Sequence, residues 1–472
     1  MGLLELPWDI QQVIFSKLDS RDRAALRQVC QRLCDTMDDP TFWKSQIVRL
    51  SSIRRFREPM WNLLLHRNIR HIEVRPSPDE TLESHRHNMV WNDLEWEQLI
   101  ENLPGLKSIT TPLKCDKNKG LPSGMQELEH LETLTAHSIL YADHSLFRDV
   151  SRLSSLKQLC IEILCVDVLV ERTEALRHLA MLRDLEDLEL TFRRYVLLNK
   201  QAFQYLLYHL PKLRRLALRR CCFRFPDISV IFSQPPPELV TEAASAPAVP
   251  EAAFIYGQAP EEGKPADERA IESAEPARVI RLNLEELDLS GTLQHILNDE
   301  AIAALDTLQI FRLQTHGIDD DLADFFRKCL GRWKVLRELD VRNADLPAEI
   351  FRHVPASLRI VHLNLTYTSD DFSVEALLIL ADRCGSRLQG LHLHGATPKH
   401  MEKLYYLPDW FPRLTHLSIE GDIGKISREV LCRLGELDYL HELDVRECKV
   451  QPGKDVWEIL ASLLGTKTRV SF

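Results

Sequence analysis

One short string of apolar residues recurs along most of this 472-residue chain and constrains its fold more than any other feature. The string is Leu-x-x-Leu-x-Leu, with Ile, Val, Phe or Ala replacing some of the leucines. Its copies begin 22 to 30 residues apart, apart from one step of 71 residues between Leu213 and Leu284. The copies start at Leu106 (a weaker copy), Leu131, Leu156, Leu185, Leu213, Leu284, Leu308, Leu336, Leu358, Leu388, Leu414 and Leu440. Alternation places the apolar side chains on one face of a short strand, and one strand cannot bury that face alone.

The spacing is typical of leucine-rich repeats, whose units stack and bury their leucines against neighbouring units. Segments between the strings, such as 201–210, 322–330 and 374–382, have helical periodicity. A strand and a helix in each repeat predict an α/β solenoid, curved into a horseshoe of about 12 repeats with strands on its concave side. A further string that starts at Ile69 is interpreted as a capping strand.

The 71-residue step contains an insert, residues 234–277, with eight prolines, nine acidic residues and two basic residues. Such a segment cannot bury enough apolar surface to offset its ordering entropy, so we predict that it is disordered. We expect it to loop out between two repeats without breaking the stack. A tolerated insertion and a regulatory or partner-binding loop, centred on Phe254-Ile255-Tyr256, are the two interpretations of its role.

The first 50 residues have a different pattern, which predicts a small helical unit. Pro7 suits the start of a helix, and Ile10 and Ile14 belong to one helical face. The remaining apolar positions form a second stripe and an aromatic end: Leu26, Val29, Cys30, Leu33, Phe42 and Trp43. A unit of this size can bury little surface alone, so we expect apolar residues such as Trp8 and Phe15 to be exposed for docking.

This N-terminal pattern resembles the F-box family over about residues 4–50. The resemblance implies that the unit docks onto the small Skp-type adaptor of a cullin–RING ubiquitin ligase. The adaptor would in turn connect the chain to a cullin. The resemblance also implies which positions carry or support that docking: Leu6, Pro7, Ile10, Ile14, Phe15, Leu18, Val29 and Leu33. An F-box followed by leucine-rich repeats resembles ligase substrate receptors, in which the repeats capture the protein to be ubiquitylated.

The predicted organisation has five parts. These are an F-box (1–50), a helical connector and N-terminal cap (51–105), a first half of the repeats (106–233), the disordered acidic insert (234–277), and a second half of the repeats with a C-terminal cap (278–472).

Residues that alternate with the core leucines should form the concave surface, where we expect a protein substrate to bind. An arginine-rich sector there could bind an acidic or phosphorylated peptide, unless neighbouring carboxylates neutralise it. A histidine group could bind a metal or respond to pH, although neutral polar surface is the favoured interpretation. The candidate contact residues are Arg215, Arg219, Glu286, Asp288, Arg312, Asp340, Arg342, His362, His392 and His394.

Composition excludes several functional classes. A net charge of −11 argues against nucleic-acid binding, and no apolar run is long enough to span a membrane. Eleven scattered cysteines favour a reducing compartment, so we expect the cytoplasm, the nucleus or both. No catalytic motif and no cofactor or metal motif is found, which predicts a subunit that is not itself an enzyme.

The resemblance to F-box proteins with leucine-rich repeats implies the substrate-recognition subunit of a Skp–cullin–F-box ubiquitin ligase. The main alternative is a non-degradative scaffold that binds partners without recruiting a cullin. Two others are a regulator of a small GTPase and a receptor whose arginine sector holds a polyphosphate. The sequence specifies neither the substrate nor its degron.

Overall fold

The described part of the chain covers most of the repeats and the N-terminal unit. A computed structural model describes residues 5–18, 20–51, 53, 56–75, 91–113, 120–141, 144–165, 173–198, 200–223, 282–291, 302, 304–314, 320–342, 344, 346–365, 370–397, 400–421, 428–445 and 469–471. The insert predicted to be disordered, 234–277, lies outside these residues, as does Phe254-Ile255-Tyr256.

The described strands form one parallel sheet in which spatial order follows chain order. Its fifteen strands are β1 Ile47–Leu50, β2 His71–Val74, β3 Ser108–Pro112, β4 Thr133–Tyr141, β5 Gln158–Cys165, β6 Asp187–Leu198, β7 Arg215–Phe223, β8 Glu286–Ser290, β9 Ile310–Gln314, β10 Glu338–Asp340, β11 Ile360–Asn364, β12 Gly390–His394, β13 His416–Ile419, β14 Glu442–Asp444 and β15 Arg469–Ser471. Strands β3 to β14 are the twelve predicted by the leucine strings. The α/β solenoid prediction is therefore confirmed.

Three strands lie beyond those twelve. Strand β2 includes the predicted capping strand, whereas β1 and β15 extend the sheet at its two ends. The segment interpreted as a helical connector, 51–105, contains two helices, Glu58–His66 and Asp93–Asn102. It also contributes strand β2 to the sheet. Strand β1 begins at Ile47, inside the segment assigned to the N-terminal unit, so that unit joins the sheet directly.

The described helices lie in the N-terminal unit and between the strands. They are α1 Trp8–Ser16, α2 Ser20–Arg27, α3 Gln31–Met37, α4 Pro40–Trp43, α5 Glu58–His66, α6 Asp93–Asn102, α7 His144–Val150, α8 Thr173–Leu179, α9 Lys200–His209, α10 Asp320–Arg332, α11 Asp370–Cys384, α12 Met401–Leu404, α13 Leu407–Trp410 and α14 Arg428–Leu434. Short 3-10 turns occur at Met125–Glu127 and Ala348–His353. None of the described helices combines the length and apolar character that crossing a membrane requires.

The core is a ladder of leucines in register between neighbouring strands. Leu159 lies opposite Leu188, which lies opposite Leu216, and all three are buried. Helix residues cover this ladder: the ring of Phe311 lies 4.8 Å from Trp333 and 5.9 Å from Phe326, between centroids. The side chains between the ladder residues point away from the core and form what we call the open face of the sheet.

The stack continues across the insert. Leu216 of β7 lies opposite Leu287 of β8, although 71 residues separate them. The carbonyl of Arg214 accepts hydrogen bonds from the backbone N–H groups of Glu285 (2.7 Å) and Glu286 (3.0 Å). The same paired bond joins other neighbouring repeats, as at Glu132 with Lys157 and Gln158. The repeats on the two sides of the insert are therefore direct neighbours, as predicted.

Candidate functional site

The N-terminal unit consists of α1, α2, α3 and the one-turn helix α4. Pro7 stands directly before α1, in the position where its missing N–H group is not required. The carboxylate of Asp39 accepts a hydrogen bond from the backbone N–H of Thr41 at 2.8 Å and caps α4, with Pro40 in its first turn. A break therefore separates α3 from the Phe42–Trp43 pair.

The core of this unit is aromatic. Phe15 is fully buried, and its ring centroid lies 5.9 Å from that of Phe42 in an edge-to-face contact. Leu33 and Trp43 are buried as well. The expectation that Phe15 is exposed is wrong, because Phe15 occupies the side of α1 that faces α4. Trp8 is exposed, as expected, although its ring contacts Phe42.

A buried arginine, which the sequence pattern did not single out, joins the helices of this unit. The guanidinium of Arg23 donates hydrogen bonds to the carbonyl oxygens of Phe15 and Ser16, each at 3.3 Å, and of Phe42. It also lies 5.8 Å from the ring centroid of Trp43. These carbonyls belong to the last turn of α1 and to α4, so Arg23 holds three helices in one arrangement. The sequence does not distinguish Arg23 from Arg21 and Arg27 on the same helix.

One face of α1 is apolar and exposed. Ile10, Val13 and Ile14 recur at helical spacing on this face, and we call them the apolar strip. Val29, after α2, is also exposed, with 68% of its surface accessible. These exposed apolar side chains are available for contact with a partner.

An ion cluster joins the N-terminal unit to the first helix beyond β1. Asp38 follows α3 and accepts hydrogen bonds from Arg27 (2.7 Å) and from Arg67 (2.5 and 2.9 Å). Arg67 follows α5 and lies 4.0 Å from the ring centroid of Trp43. Its side chain is only 10% exposed, so a buried charge links the unit to the repeats.

The arginine-rich sector of the open face is paired with carboxylates. Arg215 lies within 3.2 to 3.5 Å of Asp187, Glu189 and Glu286. Arg219 lies 2.8 Å from both Glu189 and Asp288. Arg215 and Arg219 are therefore neutralised by their neighbours, which was one of the two interpretations the sequence left open. These two arginines do not present free cations to an acidic or phosphorylated peptide.

The same alternation continues across the next strands. Arg312 bridges Glu286 and Glu338, on the strands to either side. Arg342 binds Asp340 through two guanidinium nitrogens, and Asp340 also accepts the backbone N–H of Arg342 at 3.2 Å.

Two of the predicted contact residues are inaccessible. Asp288 and Asp340 are each only 1% exposed, because their carboxylates bond to arginines and to the backbone two residues further on. The expectation that they contact a substrate directly is corrected: they hold Arg219 and Arg342 in place.

Beyond Arg342 the open face changes from arginine–carboxylate pairs to histidines. An open pocket of about 210 Å³ lies over β11 to β14. Its titratable lining consists of Arg342, His362, His392, His394, His416, Glu420, Glu442 and Asp444. The predicted contact residues His362, His392 and His394 are thus brought together, and Glu420, Glu442 and Asp444 belong to the pocket in addition.

The two central histidines are neutral stacked rings. The rings of His362 and His392 are parallel within 5°, with centroids 4.0 Å apart. Burial, with the neighbouring histidine, lowers the pKa of His362 to about 3 and that of His392 to about 4. Both are therefore uncharged at physiological pH. Within the described ranges, no group of three or more His, Cys, Asp or Glu side chains could hold a metal ion.

Comparison with known proteins identifies the N-terminal unit. Residues 3–45 match the F-box domain family. The F-box prediction for this segment is confirmed. No curated protein sequence matches the chain. The crystal structure of an internalin from Listeria monocytogenes resembles it with 13% sequence identity and a TM-score of 0.33, over 76% of this chain and 85% of the internalin. A TM-score of 0.33 is too low to infer a shared function or fold from this resemblance.

The F-box residues predicted for adaptor docking fall into two groups. Pro7, Ile10, Ile14 and Val29 are exposed, and Leu6 and Leu18 are half-buried. Phe15 and Leu33, by contrast, belong to the F-box core. The first group can contact a partner, whereas Phe15 and Leu33 can only support the fold that presents it.

Proposed function

We propose that this chain is the substrate-recognition subunit of a Skp–cullin–F-box ubiquitin ligase. Its F-box docks the Skp-type adaptor, the adaptor brings the cullin, and the open face of the repeats binds the protein to be ubiquitylated. The chain itself is not an enzyme in this proposal. The observation that carries the proposal is the exposed apolar strip on α1 of an F-box that is built into a long repeat sheet.

Three features support this division of labour. F-box domains in general bind Skp-type adaptors, and the apolar strip provides uncovered apolar surface for such a contact. The open face presents charged and polar side chains from successive strands, which suits recognition of a protein surface. The Asp38–Arg67 link and the Arg67–Trp43 contact join the F-box to the repeats, so a bound substrate would be held in a defined position relative to the adaptor.

The test is adaptor capture by a variant of the apolar strip. Ile10→Ala with Ile14→Ala removes exposed side chains and leaves the F-box core intact. We expect this variant to recover at least about tenfold less adaptor and cullin than the wild type in affinity purification, since two apolar anchors are lost. The matched control is Ile47→Ala, which truncates an exposed isoleucine on β1.

Equal recovery of adaptor by the wild type and the Ile10/Ile14 variant would contradict the docking site. Adaptor without cullin in the wild-type sample would favour the alternative, a scaffold that does not direct degradation. Partners retained by both proteins would be candidates for binding to the repeats.

A further inference from the structure

The histidine pocket over β11 to β14 has the chemistry of a site for a hydrogen-bond donor. Its most informative group is His394, whose side chain is about nine-tenths buried. The Nδ1 atom of His394 lies 2.5 Å from a carboxylate oxygen of Glu420. Because the carboxylate only accepts, Nδ1 donates to it, which leaves Nε2 as the acceptor of a singly protonated ring. This Nε2 atom is buried and has no hydrogen-bond partner.

The charges around this acceptor favour a cation. Glu420, just after β13, and Glu442 of β14 contribute two carboxylates to the lining. The lining contains one formal positive charge, Arg342, which already binds Asp340 through two nitrogens. Arg469 of β15 lies in register with Glu442 but outside the pocket lining.

The two central histidines do not offset this acidity. His362 of β11 and His392 of β12 form a neutral stacked pair in the pocket lining. His416 lies 3.9 Å from a carboxylate oxygen of Glu442. The pocket therefore combines an unfilled buried acceptor, an excess of carboxylate and the faces of two neutral rings. Guanidinium and ammonium groups both donate several N–H bonds and carry positive charge, and the planar guanidinium also stacks on ring faces.

We infer that this pocket binds a basic side chain, arginine or lysine, of the partner protein that occupies the open face. This inference rests on the proposed function only in that the repeats bind a protein. It requires the partner to present a basic residue over β12 to β14. In the arginine–carboxylate network on β6 to β10, by contrast, each named carboxylate already contacts an arginine of this chain.

The experiment uses the full chain and a minimal probe. Histidine ring C–H signals would be followed by NMR at pH 7 during titration with N-acetyl-arginine methylamide, and separately with the lysine and glutamate analogues. Signals would be assigned with His392→Asn and His394→Asn. We expect the signals of His392 and His394 to shift and saturate with a basic analogue but not with the glutamate analogue.

Glu442→Gln provides the decisive variant, because it removes one lining charge from a partly exposed position. We expect about fivefold weaker binding of the arginine analogue, the effect of losing about 1 kcal/mol from a charge-assisted contact. The matched control is Glu162→Gln. Glu162 lies 3.7 Å from His137 on the same face, in a comparable His–Glu pair far from the pocket.

Absence of a shift with both basic analogues, an equal shift with the glutamate analogue, or unchanged affinity in Glu442→Gln would overturn the inference. The titration needs no adaptor, and the adaptor capture described above does not involve the pocket. Failure of either proposal is therefore distinguishable from failure of the other.

Discussion

Replacement of Asp38 by asparagine is expected to loosen the F-box from the repeats. Asp38 is the carboxylate shared by Arg27 and Arg67, and Arg67 directly follows α5, the first helix after β1. Burial lowers the pKa of Arg67, and Asp38 offsets this only in part. The pair itself therefore adds little net stability, but the variant leaves a buried guanidinium without its counter-charge.

The magnitude follows from the accessibility of the two side chains. Loss of one partner from a buried ion pair typically costs about 3 to 5 kcal/mol. Asp38 and Arg67 retain 14% and 10% exposure, so solvent screens part of the effect, and we expect about 2 to 3 kcal/mol. The free energy concerned is that of local opening at α3 and α5, because a chain of this size does not unfold in one step.

Hydrogen exchange of the full chain, followed by mass spectrometry, measures this local free energy. A loss of about 2 kcal/mol raises the exchange rate of α3 and α5 amides about 30-fold. The control is Asp35→Asn on α3, where the exposed Asp35 carboxylate accepts a hydrogen bond from Gln31. Adding Arg67→Met to Asp38→Asn should restore much of the protection, since the unpaired charge is then removed.

This prediction is contradicted if the amides of α3 and α5 exchange no faster in Asp38→Asn than in Asp35→Asn. It also fails if Arg67→Met worsens the effect instead of relieving it.

A pH dependence accompanies the same cluster. Burial opposes ionisation of Asp38, but hydrogen bonds from Arg27 and Arg67 outweigh it and lower the pKa of this carboxyl group. Its contribution is present above its unfolded value near 3.8 and is lost as pH falls through its lower folded value.

Three further predictions concern the core, the backbone and the histidines. Phe15→Ala should destabilise the F-box by about 3 to 5 kcal/mol, whereas Ile14→Ala should leave its hydrogen exchange unchanged. Equal protection in the two variants would contradict the core assignment. Gly421→Ala should destabilise the last repeats by about 1 to 3 kcal/mol, because φ is +137° and a Cβ would overlap the Ala396 carbonyl oxygen. Gly105→Ala, whose Cβ meets no atom within 4 Å, is the control, and similar melting temperatures for both variants would refute the argument. Stability should fall as pH decreases from about 6.5 toward 4, because the unfolded chain protonates His362 and His392 before the folded chain does. At pH 5 each histidine should account for about 1 to 2 kcal/mol. The drop in melting temperature between pH 7 and pH 5 should be smaller in His392→Asn, and an unchanged drop would contradict this.

The sequence by itself determined the repeat architecture. In a strand, alternate side chains point to opposite faces, so each leucine string fixed both its strand and the face that the core covers. Stacking then made neighbours of consecutive strings, even across the 71-residue step from Leu213 to Leu284. The same alternation assigned His362 and His392 to neighbouring positions on the open face. The helical pattern of the F-box followed equally well from local spacing.

Only the tertiary structure decided which side chains meet and which remain accessible. Phe15 and Ile14 are adjacent apolar residues on one helix, yet Phe15 is core and Ile14 is surface, because only Phe15 faces α4. Arg219 and Asp288 bond across a gap of 69 residues, and Asp38 bonds to Arg67 outside the F-box. Nothing in their local sequence specifies these pairs. Apolar periodicity is a local property that backbone geometry imposes, whereas the partner of a charged side chain depends on what folding brings within about 3 Å of it.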